Sequence, residues 1–64
     1  MSAILAISGS ELEVQPGITI EEAVRTAGFL PDAFLFLIGG RPVPMDTPIE
    51  DGMTVKAVKV ASGG

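Results

Sequence analysis

Thr19-Ile20-Glu21-Glu22-Ala23-Val24-Arg25-Thr26-Ala27-Gly28 is the stretch that decides the fold. Ile20, Ala23, Val24 and Ala27 recur at i, i+3, i+4 and i+7, which puts one apolar stripe on a helix of about two turns. Thr19 and Glu22 have the spacing of a capping box, in which hydroxyl and carboxylate each satisfy an orphan helical N–H. Gly28 can take the left-handed conformation that closes the last turn. A helix this short cannot bury its stripe alone, so the flanking segments have to supply a packed layer.

Upstream, residues 2–8 are rich in aliphatic and β-branched side chains and read as a strand. Gly9-Ser10 is a Gly-X pair suited to a two-residue hairpin turn. Glu11-Leu12-Glu13-Val14-Gln15 then alternates, which predicts a returning strand with Leu12 and Val14 toward a core and the carboxylates toward water. Pro16-Gly17 ends the pairing. Downstream, Leu30-Pro31-Asp32 is a connection, and Ala33-Phe34-Leu35-Phe36-Leu37-Ile38 is apolar on both parities, as in a central strand. Gly39-Gly40 suits the two positive-φ positions of a type I′ turn, and the prolines of Arg41-Pro42-Val43-Pro44 confine that short strand to an edge. Residues 46–52 carry loop chemistry, and residues 53–60 read as a last strand.

The order is therefore strand, strand, helix, strand, short edge strand, loop, strand. For one helix to cross between two hairpins on one face of one sheet, the first and last long strands pair most simply in the middle. That predicts an α+β fold of the β-grasp, ubiquitin-like type: a mixed four- to five-stranded sheet, one helix on one face, and a flexible C-terminal tail. The domain should span residues 1–60 and the tail residues 61–64.

Composition sets limits around this. A chain of 64 residues is one small domain, near the size at which folding buries only about 60% of the unfolded surface. At 47% hydrophobic and 19% charged residues, with mean hydropathy +0.51, it can form a core. Without cysteine there is no disulfide or thiolate, and the cytoplasm is the expected compartment. Neither the apolar start nor residues 33–38 has the length or flanks of a targeting or spanning segment. Eight acidic against four basic side chains give a net charge of −4, which disfavours direct nucleic-acid binding.

Val60-Ala61-Ser62-Gly63-Gly64 has no large apolar side chain after Val60 to anchor it, so it should project and be mobile. Four extended residues reach roughly 13 Å, enough to enter a narrow channel in a partner. An α-carboxylate is ionised at neutral pH and inert toward nucleophiles until its oxygen becomes a leaving group, for which adenylation by ATP is the usual remedy. Two glycines suit that step because no Cβ crowds the attacked carbonyl and both tolerate unusual backbone angles. Gly64 is thus the expected activation site and Gly63 its steric clearance.

These residues resemble the ubiquitin-like sulfur carriers of the thiamine and molybdopterin pathways and the archaeal small modifier proteins. The resemblance covers essentially the whole chain. It is carried by Ile38-Gly39-Gly40-Arg41-Pro42-Val43-Pro44, by Ile49-Glu50-Asp51-Gly52-Met53-Thr54-Val55 and by the terminal diglycine. Gly39 stands where the family often has asparagine, a change that preserves turn geometry. The resemblance implies an ATP-dependent activating enzyme that adenylates Gly64. The product then becomes a thiocarboxylate for sulfur transfer, in tRNA thiolation or in molybdopterin or thiamine synthesis, or is joined to lysines of target proteins. ATP would be used in trans, with no cofactor held stably by this chain, which is expected to be monomeric.

With no histidine, cysteine, tyrosine or tryptophan, the usual nucleophile and base pairs cannot be assembled, and an enzyme is not expected. Glu21-Glu22 belongs to a helix start and Glu50-Asp51 to a turn, so structure accounts for both acidic pairs. The three carboxylates of residues 46–52 lack calcium-loop spacing, and no metal is expected. One two-turn helix covers only one face of the sheet, so the other should expose apolar side chains. Lys56 shares parity with Val58 and Val60, which marks the open face; the family resemblance adds Leu35 and Leu37. This face, with Arg41, Ala61 and Ser62, is the expected surface for the activating enzyme, ordinary packing or a weak dimer being the competing use. Lys56 and Lys59, the only lysines, are possible conjugation acceptors. Lys59 lies on the parity of Val55 and Ala57, which requires the core to end before it. A stand-alone binding module without covalent chemistry is the alternative function.

Overall fold

A computed structural model describes residues 1–60; the expected tail, residues 61–64, lies outside them. The chain forms β1 (Ala3–Ile7), β2 (Ser10–Val14), α1 (Ile20–Thr26), a single turn of 3₁₀ helix (Pro31–Ala33), β3 (Phe34–Ile38), β4 (Arg41–Val43) and β5 (Thr54–Lys59). The five strands make one mixed sheet in the order β2-β1-β5-β3-β4. β1 and β5 run parallel at its centre, with Leu5 opposite Val55, and every other pairing is antiparallel.

The core follows from strand alternation. Ala3, Leu5 and Ile7 of β1, Val55 and Ala57 of β5 and Phe36 of β3 point to one face, where Ile20, Ala23 and Val24 of α1 cover them. Leu12 and Val14 of β2 join from the edge, half-buried, while Glu11 and Glu13 stay exposed. Phe29 and Phe34 meet edge-on with centroids 5.9 Å apart and close the end of the core below the helix C-terminus.

The first hairpin turns one residue earlier than its glycine suggests. The pairing of Ile7 with Ser10 leaves Ser8-Gly9 as the two-residue loop, not Gly9-Ser10, and both have positive φ, 51° and 77°. That is the type I′ arrangement whose twist matches the strands. Leu12 and Val14 face the core with either loop, because moving a two-residue turn by one position shifts the pairing by two; the observed loop sets Leu12 opposite Leu5 and Val14 opposite Ala3, with an unfavourable backbone at Ser8. The second hairpin turns at Gly39-Gly40, φ 59° and 80°, as its sequence predicts. Ala33, expected in β3, instead closes the 3₁₀ turn begun by Pro31.

The helix ends are held differently from one another. At the C-terminus, the Phe29 N–H reaches the Val24 carbonyl at 3.1 Å and the Gly28 N–H that of Arg25 at 3.0 Å, the two bonds of a Schellman cap, with Gly28 at φ 93°. At the N-terminus the Thr19 hydroxyl accepts from the Glu22 N–H at 3.2 Å, but the Glu22 carboxylate lies 3.5 Å from that same hydroxyl and caps no backbone group. The remaining donors are taken by the loop between β4 and β5: Ile20 N–H donates to the Thr47 carbonyl and Glu21 N–H to that of Met45. Ile49, buried in the core, and half-buried Met45 anchor the loop so that it can do this.

Candidate functional site

The uncovered face of the sheet is built by the other parity of the same strands. Leu35 of β3 pairs with Val58 of β5, and Leu37 with Lys56, which also pairs with Ala6 of β1. Read across the sheet, one row runs Glu11, Ala6, Lys56, Leu37, Pro42; Ile4 pairs with Glu13 on one side and Thr54 on the other. The face grades from carboxylates at the β2 edge to an apolar pole at Leu35 and Val58.

That pole lies beside the end of β5. Val60 follows the strand, and its N–H donates to the Ala33 carbonyl at 3.0 Å, so the chain passes the 3₁₀ turn as it leaves the sheet. Leu35 is 44% exposed, Val58 38% and Val60 39%, the large apolar side chains that water reaches most easily besides Met1 and Leu30. Three such neighbours on one face form a patch rather than the scattered exposure common on any surface.

Val58 and Val60, placed on this face by parity, and Leu35 and Leu37, placed there by the family resemblance, therefore share it, Leu37 being half-buried. Arg41 does not join them. It pairs with Ile38, on the opposite parity and at the end of β3 far from Val60, where it is exposed. Lys56 and Lys59 are both exposed, Lys59 just past the last core residue of its strand, Ala57. Ala61, Ser62, Gly63 and Gly64 lie outside the described residues. Ile4 and Ala6 complete the face but were not singled out from the sequence; the signal was there in Ala3-Ile4-Leu5-Ala6-Ile7, which, like β3, is apolar on both parities.

Each acidic pair has a carboxylate engaged structurally. Glu21 bridges Arg25 at 2.9 Å one helical turn on, an exposed pair worth about 0.3–0.5 kcal/mol. Asp51 accepts from the Ser2 N–H at 3.0 Å while the Gly52 N–H donates to the Ser2 carbonyl, which fastens the turn before β5 to the start of β1. Among the described residues no cluster of acidic side chains is placed to hold a metal, and no helix is long and apolar enough to cross a membrane.

Neither a protein-family model nor a curated protein matches the chain.

Proposed function

We propose that this chain is a β-grasp carrier or modifier whose Gly64 carboxylate is activated in trans by an adenylating enzyme docked on the open sheet face. The observation that carries the reading is the apolar pole of Leu35, Val58 and Val60 at the end of β5, immediately before Ala61-Ser62-Gly63-Gly64. A partner seated on that pole has the glycines within reach of its own active site. The strand order and the single helix covering one face support the β-grasp assignment.

In this chemistry a Gly64 carboxylate oxygen attacks the α-phosphorus of ATP and displaces pyrophosphate. The mixed anhydride then loses AMP to an incoming nucleophile. A sulfide-level sulfur leaves a thiocarboxylate; a lysine amine, after losing a proton, leaves an isopeptide bond. The chain supplies a carbonyl flanked by no side chain, and the enzyme supplies the catalytic groups.

Intact-mass analysis of the protein from its native cell tests the proposal. A form heavier by the difference between sulfur and oxygen at Gly64 supports the carrier, and diglycine remnants on target lysines support the modifier. Recovery of unmodified protein alone, with deletion of Gly63-Gly64 harmless in vivo, overturns both and leaves the stand-alone binding module.

A further inference from the structure

A second surface lies on the helix side of the sheet, away from the apolar pole. β2 is an edge strand, as is β4, but the two edges differ. β4 is three residues long and carries Pro42, which blunts it; β2 has five residues and no proline. In a hairpin closed by a two-residue turn, Ser10, Leu12 and Val14 bond back to β1, so Glu11 and Glu13 turn their N–H and C=O outward along the free edge. Beside that edge runs a groove of about 490 Å³, floored by Leu12, Val14 and Ile18 and walled by Ala23, Thr26 and Ala27 of the helix. The groove exists because the helix offers only small side chains opposite β2.

We propose that this edge and groove dock an extended segment of a partner protein in which aliphatic residues alternate with basic ones. Such a segment adds a sixth strand: its backbone meets the outward groups of Glu11 and Glu13, its aliphatic side chains enter the groove, and its basic side chains, on the other parity, face the two exposed carboxylates. Charge decides between occupants. A second copy pairing β2 with β2 sets Glu11 and Glu13 against their own counterparts, which disfavours that ladder, whereas lysine or arginine at those positions complements it. The proposal does not depend on the chemistry assigned to Gly64.

The test is titration of a capped seven-residue peptide alternating valine and lysine into isotope-labelled protein, followed by NMR. Shifts in the Glu11 and Glu13 amides and in the Leu12, Val14, Ala23 and Ala27 methyls are expected, together with slower exchange of the two amides. Ala27→Leu, which fills the groove, should weaken binding at least fivefold while keeping a dispersed spectrum. The double charge reversal E11K/E13K should transfer the preference to a peptide alternating valine and glutamate. Absence of shifts at millimolar peptide, shifts confined to Leu35 and Val58, or the same β2 shifts on concentrating the protein alone would each overturn it, the last in favour of a second copy.

Discussion

At the scale of single residues, the two hairpin turns make opposite demands on side chains. Gly40 sits at φ 80° with nothing within 4 Å of where a Cβ would stand, so Gly40→Ala meets no clash and its cost is that of the left-handed backbone alone. Urea denaturation should show a loss of about 1–2 kcal/mol. Ser8, at φ 51°, already bears that cost, and Ser8→Asn converts the turn to Asn-Gly, the pair best suited to type I′; a gain of about 0.5–1 kcal/mol is expected. If Ser8→Asn instead destabilises, the serine hydroxyl contributes something that the backbone angles do not show. The contrast also explains what could be read from the sequence. Gly39-Gly40 advertises its turn because both positions are glycine. Ser8 does not, and because either loop leaves Leu12 and Val14 on the core face, the hydrophobic pattern does not distinguish the two registers.

At the scale of elements, α1 is legible in its stripe and its C-terminal glycine, but not in how its N-terminus is held. The spacing of Thr19 and Glu22 promises a reciprocal box, yet the donors of Ile20 and Glu21 are met by the carbonyls of Thr47 and Met45, some 25 residues away in sequence. Backbone-to-backbone bonds between distant segments leave no mark in residue identity, so a local pattern could not reveal them. The consequence is testable. Thr19→Ala removes one cap and should cost about 1 kcal/mol. Ile49→Ala opens a cavity in the core and should cost about 2–5 kcal/mol, and it also loosens the loop that presents those carbonyls. Because both changes act on the same helix end, their effects should depart from additivity by at least about 0.5 kcal/mol in a double-mutant cycle of denaturation. Strict additivity would mean that the loop keeps its place without Ile49.

At the scale of the whole molecule, the sheet has two faces of different character. The helix side holds the core and the groove beside β2; the open side holds the apolar pole next to the end of β5. The pole was legible because Lys56 fixes the parity of Val58 and Val60, whereas the groove was not, since it arises from small helix residues standing opposite an edge strand. Leu35→Asp and Val58→Asp test the pole. Both side chains are partly in water and belong to no buried cluster, so each change should cost only about 1–2 kcal/mol, which thermal unfolding can verify. If an activating enzyme seats there, the same changes place a carboxylate against its apolar surface and should slow ATP-dependent activation of Gly64 at limiting protein by about 30-fold, equivalent to about 2 kcal/mol. Ala27→Leu, on the other face, should leave that rate unchanged. Activation that survives both aspartates removes the pole from the mechanism, and activation that falls with Ala27→Leu as well means that the two faces do not act independently.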